Sequence, residues 1–138
     1  MQTASPEPAA TDLPELRFDS GLLGFPDAHR FLLVELDEQG SVFELRSVDE
    51  PDLGFVAVAP GPYFPEYAPE LDEPTVAQLA LSDADDALLL ALVTLPGDGS
   101  EASANLLAPV VVNRHSRQAC QTVLSGQDHP LRAGFPGR

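Results

Sequence analysis

The chain has one cysteine in 138 residues, Cys120. A single thiol forms no disulfide within the chain and supplies no cysteine-rich zinc site, so stability must come from packing, and a reducing compartment suits it. Long apolar runs are missing as well. The longest, residues 87–93, falls far short of the roughly 20 residues that a membrane-spanning helix requires. The first residues lack the basic start and apolar stretch of a signal peptide, and no Asn-x-Ser/Thr acceptor occurs, so a cytoplasmic protein without membrane association is expected. Positive charge is scarce. Seven basic residues, all arginine, stand against 22 acidic ones for a net charge of −15. The excess is uneven: residues 1–73 hold 16 acidic and 3 basic residues, a net of −13, whereas residues 74–138 hold 6 and 4, a net of −2. Such a field repels phosphate and argues against direct nucleic-acid binding, while a basic protein is its natural complement. Charge alone does not decide between a basic partner and mere solubility.

At 43% hydrophobic, the chain has enough apolar surface for one domain with a continuous core. Residues 1–13, rich in Ala, Pro, Ser, Thr and Glu, read as a disordered tail. A domain is expected over residues 14–132, with a flexible C-terminus over 133–138, where Gly and Pro return. Residues 30–36 (RFLLVEL) and 42–47 (VFELRS) flank the turn residues Asp37, Glu38, Gln39 and Gly40 and suggest a hairpin. Residues 55–59 (FVAVA) have the composition of a central strand that stops at Pro60. The period changes over residues 74–81, where Pro74 suits a first helical turn and Val76, Leu79 and Ala80 fall at i, i+3, i+4. Residues 87–95 (ALLLALVTL) have helical propensity, but their terminal Val-Thr and the turn after them favour a buried strand. Residues 106–112 and 117–124 read as two further strands. Six or seven short strands with one short helix and many Pro/Gly breaks describe a mostly β protein, a small antiparallel β-barrel-like single domain.

Residues able to carry chemistry are scattered. A Ser-His-Asp arrangement would use Ser116 with His115 or His29, but no Gly-x-Ser-x-Gly elbow presents the serine. Cys120 lies in an alternating strand pattern and reads as a buried structural thiol. Asp83, Asp85 and Asp86 fail as a calcium loop, because Leu88 stands where glycine is needed and Thr94 where a bidentate glutamate is needed. His29, His115 and His129 lack the spacing of a helical metal site. Residues 97–101 (GDGSE) have no lysine for a phosphate and read as a mobile hairpin loop. No catalytic, cofactor or metal site is therefore assigned. The reading kept in reserve is a small β-barrel hydrolase or ligand-binding domain using His115, Ser116 and Cys120.

The unusual stretch is residues 60–73, PGPYFPEYAPELDE. Proline lowers the ordering cost of binding, Tyr63 and Tyr67 offer amphipathic contact area, and Glu66 and Glu70 select a basic partner. The competing use of Tyr63 and Phe64, of equal weight for each ring, is to plug the end of the barrel.

Read in order, several blocks resemble the FliW flagellar assembly factor family: residues 21–26 (GLLGFP), 45–47 (LRS), 55–58 (FVAV) with Pro60, Tyr67, and above all 105–113 (NLLAPVVVN) followed by Gln121. In the last block Asn105 and Asn113 can bond nearby backbone at either end of a strand that Pro109 marks as an edge or bulge. The resemblance implies a small β-barrel-like fold, no enzymatic activity and no cofactor. It also implies two competing partners, flagellin and the RNA-binding translational repressor CsrA, with the protein freed from flagellin binding CsrA and relieving repression of flagellin synthesis. Tyr63, Glu66, Tyr67, Glu70, Asn105 and Asn113 are the residues expected to serve partner binding, in a chain that is a monomer when free.

Overall fold

The computed structural model describes residues 15–95, 102–124 and 126–135. The tail expected over residues 1–13 and the loop expected over 97–101 lie outside them. Period-two alternation marks β1 (Glu15–Phe18), β2 (Arg30–Glu35) and β3 (Val42–Ser47), which form an antiparallel meander with β4 (Gly54–Val58), whose Ala57 and Val58 are both buried. The second half supplies β5 (Ala87–Thr94), β6 (Ser103–Ala104), β7 (Val110–Asn113), β8 (Gln118–Gln121) and β9 (Ala133–Gly134). β1 meets β8 in parallel, with Arg17 opposite Gln118, and β4 meets β5 antiparallel, with Ala57 opposite Leu92. Seven strands in the order β4-β3-β2-β1-β8-β7-β5 thereby close into a barrel, and β6 and β9 extend the sheet from β5.

β5 explains how the barrel is covered. Its first half pairs with β7, Leu90 opposite Val110, and its second half with β4, Ala91 opposite Val58. Leu88, Leu90 and Leu92 point into the central core with Phe18, Phe31, Leu45 and Val110. The alternate residues face outward under two separate covers. Ala91 and Val93 pack with Tyr63, Phe64, Tyr67 and Phe135, whereas Ala87 and Leu89 pack with Leu71, Leu79 and Leu81. A strand buried on both faces needs apolar residues throughout, which is why residues 87–94 lack alternation. Inside the barrel, Phe18 and Phe31 meet edge to face at 5.4 Å and are fully buried. Pairs of this kind add about 1 kcal/mol beyond the area they bury.

One short helix, α1 (Glu73–Gln78), carries the second cover. Asp72 caps it by accepting from the Thr75 amide at 3.0 Å, and Pro74 fits its first turn. Leu79 ends it, and Ala80 takes the left-handed conformation at φ 53° while the Leu81 amide donates to the Val76 carbonyl at 3.0 Å. The helix is shorter than the period over residues 74–81 suggests, because Ala80 has already left helical geometry.

Three expectations are corrected. Residues 106–109 are not strand: the Asn105 side chain accepts from the amides of Leu107 and Ala108, and this Asx turn delays β7 to Val110. Arg117 is not strand either, since its φ of 66° excludes extended backbone, so β8 begins at Gln118. The packed body also runs beyond Arg132. Ala133 pairs with Ala104 and is buried, and Phe135 packs with Tyr63 and Phe64. Gly134, read as a break, lies within β9.

Candidate partner-binding surface

The segment over residues 60–73 is laid against the outer wall by its own turns. Pro60 ends the meander, and its carbonyl accepts from the amides of both Tyr63 (3.0 Å) and Phe64 (2.7 Å). The Tyr67 amide then donates to the Phe64 carbonyl at 2.9 Å. These two turns place three rings on Val58, Ala91, Ala104 and Leu106. They cover the side of the barrel and do not plug its end.

Both phenols are engaged inward. The Tyr67 hydroxyl donates to the Leu106 carbonyl at 2.7 Å, and burial pushes this phenol up to about 12. The Tyr63 hydroxyl lies 3.1 Å from Ser41 Oγ, which donates to Asp37 Oδ2 at 2.6 Å. Asp37 also accepts from the amides of Ser41 and Val42, and these hydrogen bonds, the Ser41 hydroxyl first, hold its carboxyl below the usual range. The rings brace one another: Tyr63 and Phe64 meet Phe135 at 5.4 and 5.5 Å, and Tyr67 and His129 meet edge to face at 5.0 Å. Gln127 ties the segment to the C-terminal stretch through two bonds with the Glu70 main chain, at 2.8 and 3.0 Å.

What remains on the outside is aromatic and anionic. An open depression of about 400 Å3 is lined by Tyr63, Phe64, Pro65, Glu66, Tyr67, Leu106 and His129. Glu66 is exposed at its lip, and Glu70, Asp72 and Glu73 are exposed further along the same segment. A second groove of about 400 Å3 lies on the helix side. Its lining is mostly aliphatic, with Leu71, Val76, Leu81 and Leu89, and Asp83 at its edge.

The two asparagines serve the frame. Asn105 is half-buried and its carbonyl oxygen is occupied by the Leu107 and Ala108 amides, as its reading as a backbone bonder anticipates. Asn113 is 5% exposed. Its Nδ2 donates to the Leu79 carbonyl at 2.7 Å and its Oδ1 accepts from the amides of His115 and Ser116. Asn113 therefore joins α1 to the turn over residues 114–117 from inside, and its buried amide is out of a partner's reach. The supporting residues Ser41, Gln127 and Phe135 escape sequence reasoning, because each acts across many residues on a partner that only the fold brings near, and Asp37 reaches the segment only through Ser41.

The residues of the hydrolase reading have other roles. His115 Nε2 lies 2.9 Å from Asp86 Oδ1, and this hydrogen bond leads the effects that lower the Asp86 carboxyl. Ser116 Oγ accepts from the Gln118 amide at 3.2 Å. Cys120 is buried against Leu79 and Val111, and desolvation, with the Asp72 carboxylate adding to it, raises its thiol to about 11. A thiol held that far from ionisation is a poor nucleophile at neutral pH. Among the described residues, no group of three or more His, Cys, Asp or Glu is placed to hold a metal ion, and no helix is long and apolar enough to cross a membrane.

These features define a class: a small closed β-barrel with a packed interior and two covers laid over its outer wall. A sequence profile of the FliW protein family matches residues 3–135. The flagellar assembly factor FliW of Symbiobacterium thermophilum is 36% identical over 116 residues, covering 83% of this chain and 84% of that protein. The one of Treponema pallidum is 37% identical over 111 residues, covering 80% and 73%. A crystal structure of the flagellar assembly factor FliW superposes with a TM-score of 0.81 at 32% identity, covering 96% of this chain and 92% of the other. The chain belongs to the FliW family.

Proposed function

We propose that this chain is a non-catalytic flagellar assembly factor of the cytoplasm that binds flagellin and, when free of it, binds the translational repressor CsrA and relieves repression of flagellin synthesis. The observation that carries this reading is the correspondence with a FliW crystal structure along 96% of the chain. The surface chemistry supports it. Exposed carboxylates of Glu66 and Glu70 beside a rigid aromatic depression suit a basic protein, and CsrA, as an RNA binder, needs a basic surface. The aliphatic groove beside α1 has the character expected for flagellin, since amphipathic segments seat apolar side chains in such grooves. The filled barrel interior and the buried thiol of Cys120 weigh against a ligand-binding barrel or a hydrolase.

The test is calorimetric titration of the purified protein with CsrA and, separately, flagellin from the same organism, at two salt concentrations. CsrA binding that weakens with salt is expected, and Glu66→Lys with Glu70→Lys should weaken it further while the circular-dichroism melt stays nearly unchanged. Salt-insensitive binding would keep the role and remove the acidic surface from it. No binding to either partner would refute the reading. Thiol labelling addresses the hydrolase: Cys120 should stay unreactive until the chain unfolds, and rapid labelling of the native protein would reopen that alternative.

A further inference from the structure

From the aromatic depression we infer that it is a receptor for a single arginine side chain of a basic protein partner, the guanidinium stacking on the Tyr67 and Phe64 rings and pairing with the Glu66 carboxylate. This rests on the reading of the chain as a binder of basic proteins and names the group that its acidic face selects. The argument is one of what the depression has left to offer. Both phenolic hydroxyls that could bond a neutral polar ligand are turned inward, onto the Leu106 carbonyl and Ser41. His129 Nε2 lies 3.2 Å from Gln127 Oε1. Beside the apolar Pro65 and Leu106 and the His129 ring, the lining offers half-buried aromatic rings, whose faces carry a negative quadrupole, and one exposed carboxylate at the lip.

Both features attract a cation, and a flat one with several donors uses them together: a guanidinium stacks on a ring while its N–H groups reach a carboxylate, which a compact ammonium does less well. The rings are also fixed before any ligand arrives. Tyr63 and Phe64 are braced by Phe135, and Tyr67 by His129 and its own hydrogen bond. A preorganised aromatic site binds with little ordering cost. The chain's net charge of −15 raises the local concentration of any cationic segment around it.

The decisive experiment is an NMR titration of the full chain with Nα-acetyl-arginine amide, set against Nα-acetyl-citrulline amide, its uncharged isostere. The chain has only two tyrosines, both in the depression, so their ring signals report on it directly. Saturable shifts of the Tyr63, Tyr67 and Glu66 signals with the arginine compound and not with citrulline are expected. Equal shifts with both compounds, or shifts elsewhere on the surface, would overturn the inference whatever CsrA does. In parallel, Phe64→Leu should weaken CsrA binding by about threefold to thirtyfold, as a cation–π contact commands, and Glu66→Gln by about threefold to fivefold, the upper range for an exposed ion pair. Glu38→Gln, an equal charge change in the exposed turn between β2 and β3, should leave it within about twofold. Normal CsrA binding by Glu66→Gln and Phe64→Leu, with the folded state intact, would also reject the receptor and leave the family role standing. If the chain ignores CsrA but still selects arginine over citrulline, the role fails and the receptor stands.

Discussion

The outer wall of the barrel is covered twice, and the two covers are built differently. On the aromatic side, three rings rest on small residues such as Ala91 and Ala104 and are anchored at the tips of Tyr63 and Tyr67 by single hydrogen bonds. On the helix side, aliphatic residues pack on Val111 and Cys120, and one buried side chain, Asn113, makes three main-chain bonds shorter than 3.2 Å that tie α1 to the turn over residues 114–117. Distributed anchoring lets the aromatic side keep an open face without loosening its frame. On the helix side more of the polar anchoring is concentrated in Asn113, with Thr75 Oγ1 3.3 Å from Thr122 Oγ1 as a second tie.

That contrast predicts unequal mutational costs. Asn113→Ala removes one donor and one acceptor that serve three backbone groups in a buried setting, and leaving such groups unpaired costs about 2–4 kcal/mol. Denaturant unfolding should show this as a lower midpoint with an unchanged slope. Tyr67→Phe removes one bond and leaves the Leu106 carbonyl without it, for a smaller loss of about 1–2 kcal/mol. Equal losses in the two variants would erase the distinction between the covers.

The fold was legible in the sequence wherever a local pattern mirrored burial. Residues 42–47 alternate because only one face of β3 is buried, and the shift of period at Pro74 marks α1 because a helix presents one stripe to the wall. Residues 87–94 were legible as strand only by their terminal residues and the following turn, since burial on both sides removes the alternation. The parallel β1–β8 pairing and the division of β5 between β7 and β4 have no local signal at all. The candidate surface was partly legible. Residues 60–73 stand out by composition, but the direction in which Tyr63 or Tyr67 turns its hydroxyl depends on Ser41 and Leu106, 22 and 39 residues away.

The covers also differ in the groups that couple them to pH. The Tyr67 phenol is raised to about 12 from an ordinary 10.0 by burial, so folding favours its neutral form. The stability linked to it is fully present below pH 10 and lost as the pH rises toward 12, a window that Tyr67→Phe should remove from a series of melts. Asp72 and Asp86, on the helix side, are lowered below 3.8, chiefly by side-chain hydrogen bonds with Thr75 and His115 respectively. Their contribution is present above that value and disappears as the pH falls through their folded pKa. Asp37 brings the same acid response to the aromatic side through Ser41. The Cys120 thiol, raised from 9.0 to about 11 by desolvation, brings an alkaline response to the helix side. Each extreme therefore touches both covers, the helix side at a lower alkaline pH than the Tyr67 side. The earlier alkaline loss, between pH 9 and about 11, should survive in Tyr67→Phe because it belongs to Cys120, whereas a full loss toward pH 12 in that variant would assign the later step elsewhere.

The smallest effect expected is a gain, and it comes from the helix side. Ala80 holds φ at 53° just after α1, where its Cβ is strained by the neighbouring carbonyl and glycine is not. Its exposed side chain contributes little packing, so Ala80→Gly relieves strain at small cost. Glycine also widens the unfolded ensemble, which offsets part of the gain. The balance should favour the variant by about 0.5–1 kcal/mol, seen as a melting temperature a few degrees higher. The same substitution at Ala77, inside the helix and exposed, should lower it by a similar amount. Opposite signs at two positions three residues apart would show that backbone conformation sets the response there, whereas a loss at both would mean that the Ala80 methyl supports the cover through contacts.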